Sequence, residues 1–484
     1  MESTASGGNS TKQKHSAGIA TQGVMEGQQA AQHPPPAAGW ALLRHHLGAT
    51  GRLAGPVMIA RSGALIMITS DVIMTGRAGA RELAYYGLGF APAQNLFVIG
   101  IGFLMGAMVL TAQTQGRGEL PACATIWYVA MLHGLLAGLG FMALALGGEW
   151  FFRVTGQAPD LAAGGAGVMR MMALGLPGVM LYLATAQFMD GLSRPKANMV
   201  LMLFANLINI LLNWLLIYGH GDFRGMGAEG AALATSITRW LMWIGLAGYV
   251  LLMPGARRYG VLAPPRGARE VSRKMIRMGL PVGLAHGLEA SAFTAIVILA
   301  GRLGALQLAT YQIAQNLFVN AYMLAIGLAT ATSVRVGNAV GRRERNGVAW
   351  AGWTGLGMGA GVLLCVSAAY QVFAQPLAGF YSTHPSVLEL AYPAIAVAAY
   401  FVVADGIQGV AVGALRGTGD VWMPTMLVAC GFWGISLPMG YVTAFNLGWG
   451  VDGLLWGLAA GALAAAILLL WRFAAVARRE VAPL

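Results

Sequence analysis

AQNLFV stands at residues 93–98 and again at 314–319, so that Ala93 falls on Ala314. The same offset brings Gly106 onto Gly327, Thr111 onto Thr332 and Gly116 onto Gly337. Upstream, PV at 56–57 recurs at 281–282 and GRAGA at 76–80 recurs as GRLGA at 301–305, both at one slightly larger offset. GMGAEG at 225–230 returns as GWGVDG at 448–453, and at that intermediate offset Tyr218 falls on Tyr441. Three regions that repeat at nearly one offset mark an internal duplication. The fold must therefore be two copies of one half.

Composition says what each half is made of. Of 484 residues, 57% are hydrophobic and only 10% are charged, and mean hydropathy is +0.64. A soluble domain carries about 25% charged residues. Nearly uncharged runs of about 18 residues or more recur from residue 51 to residue 473, long enough to cross a hydrocarbon core of about 30 Å as helices. NLFVIGIGFLMGAMVLTA at 95–112 and DGLLWGLAAGALAAAILLLW at 452–471 are examples. Gly, at 69 residues, is about twice its usual share, as expected where membrane helices pack through small residues. Breaking the chain at charges and at Gly/Pro turns predicts about twelve spans: 51–75, 83–113, 121–147, 163–187, 197–219, 229–253, 275–301, 307–333, 347–376, 388–414, 422–446 and 450–473. The expected fold is an all-α integral membrane protein with two pseudo-symmetric six-helix lobes. Six crossings per half make the repeats parallel, with a cleft between them.

Positive charge orients the chain. Arg257, Arg258, Arg266, Arg269, Arg273, Lys274 and Arg277 lie between spans 6 and 7, and Arg335, Arg342, Arg343 and Arg345 lie after span 8. The other side has only scattered Arg77, Arg81, Arg153, Arg224 and Arg302. This bias places both termini and the central connector in the cytosol, and it accounts for the net charge of +12 without a nucleic-acid partner. The expected organisation is a disordered cytosolic tail (1–44), an N-lobe (45–253), a basic connector (254–274), a C-lobe (275–476) and a cytosolic C-terminal tail (477–484). The tail has no apolar h-region and is no signal peptide. Cys123, Cys365 and Cys430 stand singly, which indicates neither a disulfide framework nor a zinc site.

A carboxylate in mid-span costs about 2.5–3.5 kcal/mol on insertion scales and is a functional hypothesis by default. Asp71, Glu289 and Asp405 qualify, and their repeat mates are Ile296, Ala64 and Tyr182. The scaffold was duplicated but the acids were not. A purely structural acid would recur in both halves, so the asymmetry points to function. Span 5 adds Asn206, Asn209 and Asn213. Of these, Asn209 and Asn213 share a face, and their amide oxygens suit either a hard monovalent cation or helix–helix hydrogen bonds. His286 lies one turn before Glu289, either tuning that acid or simply packing. Arg61, Arg170 and Arg239 also fall inside spans. Arg61 and Asp71 lie on different faces of one helix.

GMGAEG fits the dinucleotide pattern G-x-G-x-x-G, which demands a preceding strand. None is predicted, no Walker lysine follows a Gly-rich loop, and no soluble domain could hold a Rossmann sheet. The string reads as a repeated turn, with Glu229 and Asp452 near the starts of spans 6 and 12, where acids favour a helix N-terminus. No enzyme and no cofactor are expected. A channel reading lacks a filter-like loop.

GPVMIA and SDVIMTGRAG in span 1, GLPVGLAHGLEASAF in span 7, LATYQIAQNLFV and SVRVGNAVGRRE around span 8, and DGIQGVAVGALRGTGD at span 10 resemble the multidrug and toxic compound extrusion (MATE) family, in its NorM-like branch. The resemblance runs from about residue 51 to 473. It implies the MATE/MOP superfamily fold, a V of two lobes that alternates between inward-open and outward-open. It also implies efflux of organic, often cationic, compounds in exchange for Na+ or H+. By resemblance, Asp71, Asn209, Asn213 and Thr235 form an N-lobe cation site, and Glu289 and Asp405 form the C-lobe acid pair of the NorM-like branch, a substrate or cation site. Tyr311 departs from the family, standing where many members have histidine. The expected setting is the plasma membrane, a bacterial inner membrane, with the protein a monomer whose partners are small drugs and the bilayer. A lipid or lipid-linked oligosaccharide flippase of the same superfamily is the alternative, although flippases line their cavity with several basic residues.

Overall fold

The computed structural model describes residues 40–220, 223–381, 385–479 and 482–483. Residues 1–39 of the expected tail lie outside the described residues, whereas 40–44 are already helical. The run WALL opens there, after the AAG that follows HPPP, and its Ala and Leu are good helix formers.

Twelve long helices follow one another: α1 Trp40–Ala78, α2 Ala80–Gly116, α3 Cys123–Leu146, α4 Pro159–Gly191, α5 Lys196–Tyr218, α6 Gly227–Leu252, α7 Ala268–Arg302, α8 Ala305–Gly341, α9 Arg345–Val372, α10 Pro385–Thr418, α11 Trp422–Asn446 and α12 Gly450–Ala477. Among the described residues, eleven are long and apolar enough to cross a membrane. The twelfth, α6, is diluted by Glu229, Thr235, Ser236, Thr238 and Arg239, the polar groups that the site below uses in part. In α11, π-helical stretches at Cys430–Ser436 and Val442–Asn446 flank Pro438, whose missing N–H and ring disturb the regular ladder. A two-residue hairpin pairs Gly219 with Arg224 and His220 with Phe223 between α5 and α6.

The duplication is legible in the packing. In the compact unit Ala49–Leu484, α4 lies against α2, α3 and α6, and its mate α10 lies against α8, α9 and α12. The turns repeat as well. Gly79 and Gly304, the mates in GRAGA and GRLGA, both take positive φ (147° and 110°) and break the chain between α1 and α2 and between α7 and α8. Gly227 and Gly450, the mates in GMGAEG and GWGVDG, take φ of 55° and 58° at the starts of α6 and α12. The first amides behind them are met from another helix. Ala228 N donates to Glu82 Oε2 at 2.7 Å, and Val451 N donates to Gln307 Oε1 at 2.9 Å. A Cβ on Gly227 would collide with the Glu82 carboxylate. The phosphate-like cradle suggested by G-x-G-x-x-G is therefore filled by the protein's own carboxylate. The first-turn acids Glu229 and Asp452 are not the groups that meet these amides.

The halves meet through small residues, as membrane helices do. Gly102, Gly106, Gly279 and Gly283 let α2 cross α7 with backbone nearly touching backbone, and Gly327 seats α8 on Met58 and Ala54 of α1. Gly106 and Gly327 are repeat mates, so one pseudo-symmetric contact is made twice. At the C-terminal ends of α2 and α8, Gly116 lies on the Asn338 carbonyl and Gly341 on that of Gln113.

Candidate functional site

α5 is amphipathic in the sense a membrane requires. Leu203, Phe204, Leu207, Leu211 and Trp214 are exposed, whereas Asn198, Met202, Asn206, Asn209 and Asn213 are buried. This arrangement turns the amides toward α1 and α6.

There they meet Asp71, which is 1% exposed. Asn213 Nδ2 donates to Asp71 Oδ1 at 2.6 Å, while Thr235 Oγ1 from α6 and Tyr86 Oη from α2 donate to Oδ2 at 2.6 and 3.0 Å. Asn213 Nδ2 also donates to Asn209 Oδ1 at 3.1 Å, and Asn209 Nδ2 reaches Thr235 Oγ1 at 3.3 Å. All four expected N-lobe residues thus form one connected network, joined by Tyr86. Such a network satisfies a buried carboxylate with neutral donors alone, which offsets the cost of its burial. Asn213 Oδ1 remains buried with no hydrogen-bond partner among the described residues, an open acceptor beside the carboxylate. Arg239 is buried close enough to interact electrostatically with both Asp71 and Tyr86, and its guanidinium sits 5.8 Å over the Phe97 ring. Arg170, in contrast, is exposed.

The C-lobe acids are arranged differently. Asp405 on α10 is 1% exposed, and neither of its oxygens has a hydrogen-bond partner among the described residues. Glu289 on α7 is near enough to interact with it electrostatically, and Tyr322 of α8 and Arg416 of α10 complete the charged neighbourhood. His286 Nδ1 lies 3.6 Å from Glu289 Oε2, and its ring also packs against Gly102 of α2. Arg416 Nη1 touches Met105 Sδ of α2 at 2.9 Å and so reaches the opposite lobe.

Tyr86 was not singled out by sequence, yet a signal existed. At the offset of the GRAGA pair its mate is Tyr311, the residue that departs from the family, and both are 1% exposed. In the second half the mate of Asp71 is Ile296, so Tyr311 has no equivalent acid to face. Asp190 was also missed, because it sits at the end of a span rather than within it. The structure brings it near Arg61, which sequence could not pair.

A fold of two six-helix repeats, with buried acids in both halves, defines a polytopic membrane transporter of the MATE type. The MatE family model matches residues 56–215 and 281–442, and the chain belongs to that family. It is 32% identical over 429 residues to a probable multidrug resistance protein NorM of Caulobacter vibrioides, covering 87% of this chain and 90% of that protein. It is equally 32% identical over 442 residues to the multidrug resistance protein PmpM of Pseudomonas aeruginosa (89% and 91% covered). Among solved structures, the outward-facing conformation of a multidrug resistance MATE family transporter of the MOP superfamily aligns with TM-score 0.82 at 21% identity, over 92% of this chain and 100% of that one. The crystal structure of the eukaryotic MATE transporter AtDTX14 aligns with TM-score 0.81 at 18% identity (91% and 100% covered).

Proposed function

We propose that the chain is a secondary active multidrug efflux antiporter, exporting organic, often cationic, compounds in exchange for Na+ or H+ by alternating access. The observation that carries the reading is the Asp71 network: a buried membrane carboxylate held by Asn213, Thr235 and Tyr86, with the Asn213 carbonyl oxygen open beside it. A monovalent cation arriving there finds a carboxylate and amide or hydroxyl oxygens, the donor set that a hard cation takes. A proton arriving there converts the carboxylate to a donor and forces Asn213, Thr235 or Tyr86 to turn. Either event changes the contacts between α1, α2, α5 and α6. A ligand shifts a conformational equilibrium only by its differential affinity for the two states, and those contacts are where such a difference arises.

Neither Asp405 oxygen has a hydrogen-bond partner among the described residues and Glu289 faces it, so a cationic drug gains more there than at the satisfied Asp71. With the basic connector in the cytosol, the contacts of Gly116 and Gly341 close the cytosolic side, which corresponds to an outward-facing state in a bacterial inner membrane. The protein works as a monomer, because each chain carries both lobes. The test is ethidium transport in proteoliposomes under imposed sodium or proton gradients. One gradient should drive transport and its collapse should stop it. Ethidium movement that ignores both gradients would overturn the antiport reading.

A further inference from the structure

The buried amides of α5 do not stop at Asp71. Asn213, Asn209, Asn206 and Asn198 lie on one stripe, interrupted only by Met202, at helical steps of three or four positions. At about 1.5 Å per residue the stripe covers about 22 Å of the span. Gly63 of α1 rests against Met202 and Asn206, so α1 covers the middle of the stripe. At its inner end Tyr182 Oη of α4 donates to Asn198 Oδ1 at 2.6 Å. Tyr182 in turn interacts electrostatically with Arg61 of α1 and Asp190 of α4, and these are the charged groups that face one another there.

Several groups on α5 and α4 are buried and unsatisfied. Asn206 Oδ1, both amide atoms of Gln187, and Asp190 Oδ1 have no hydrogen-bond partner among the described residues, although Gln187 is 2% and Asp190 4% exposed. Gln187 and Asp190 are one helical turn apart and share a face of α4. Buried polar groups are ordinarily paired, so a run of unpaired oxygens within a membrane lobe marks a place built for a mobile partner. The acid at its inner end has no acidic counterpart in the other half: at the offset that sets Tyr182 on Asp405, Asp190 falls on Gly413.

We propose that Asp190, with Gln187 and Tyr182, is a second site for the coupling cation, joined to Asp71 by the α5 asparagine stripe. Arg61 acts on Asp190 through space, with no ion pair between them among the described residues. A monovalent cation or proton that reaches Asp190 becomes the direct partner of that carboxylate, and Asn206 bridges the two sites. This route rests on the antiport reading above, in which Asp71 takes the cation.

The experiment uses full-length protein in two settings: equilibrium ethidium binding in detergent, with and without added sodium or acid, and gradient-driven ethidium transport in proteoliposomes. Asp190→Asn should keep ethidium binding and its response to cation, because Asp71 is intact, while transport under the driving gradient falls at least tenfold. Asn206→Leu, which blocks the stripe midway, should behave likewise. Arg61→Gln should shift the cation concentration needed for half-maximal transport. Wild-type transport by Asp190→Asn would overturn the second site, and so would loss of ethidium binding in that variant, which would make Asp190 a structural or drug-binding residue. Normal transport by Asp71→Asn would instead defeat the antiport reading on which the route rests.

Discussion

The two lobes share one scaffold and hold their acids in opposite ways. Asp71 accepts three hydrogen bonds from Asn213, Thr235 and Tyr86, whereas Asp405 accepts none among the described residues and faces a second acid, Glu289. A satisfied carboxylate is a selective site for a small ion, since every donor must be displaced or reoriented when the ion binds. An unsatisfied pair is a field, attractive to a bulky cation of any shape. Duplication supplied the helices, and divergence of a few side chains supplied the two chemistries. In the antiport proposed above, the Asp71 site takes the driving ion and the C-lobe pair takes the cargo.

The contrast can be broken at several points. The largest effect is expected from Asp71→Asn, which removes the charge on which the N-lobe network is centred. Ethidium efflux from cells should be lost while the protein still reaches the membrane. Asp405→Asn should lower ethidium affinity at least about tenfold, about 1.4 kcal/mol, measured by fluorescence titration, and leave the cation response in place. Unchanged drug binding in both Asp405→Asn and Glu289→Gln would make the C-lobe acids structural.

Tyr86→Phe removes one of three hydrogen bonds to Asp71. A bond of this kind is worth about 0.5–1.5 kcal/mol, so the cation midpoint of transport should move about two- to tenfold. The repeated turns allow a finer comparison. Gly227→Ala and Gly450→Ala both strain a left-handed residue, but the first also pushes Glu82 from the α6 N-terminus, whereas the second meets Gln307 only at 3.0 Å. The first should lower Tm in detergent more than the second, by about 2 °C or more. Least of all, Arg153→Ala breaks an exposed pair with Glu149 one turn away and should leave Tm and transport unchanged.

Much of this was legible in the sequence because periodicity and repetition are local. Duplication, span count and the mid-span acids follow from offsets and hydropathy alone, and Thr235 came in through resemblance. What stayed hidden were partnerships between helices. Tyr86 could be any membrane tyrosine until α2 folds beside α1. Glu82 looks like a loop acid until it meets the α6 amides, and Asp190 lies at a span end where a charge attracts no notice. GMGAEG was legible as a repeat, but only packing reveals what fills its cradle.

The central proposal is that the driving cation acts through Asp71 and not through the C-lobe pair. Its most direct test is equilibrium ethidium binding to purified wild-type, Asp71→Asn and Glu289→Gln protein, titrated with sodium at fixed pH and with acid at fixed sodium. One of the two cations should release ethidium from wild-type and Glu289→Gln protein but not from Asp71→Asn. Full cation-induced release from Asp71→Asn, with its loss in Glu289→Gln, would contradict the proposal.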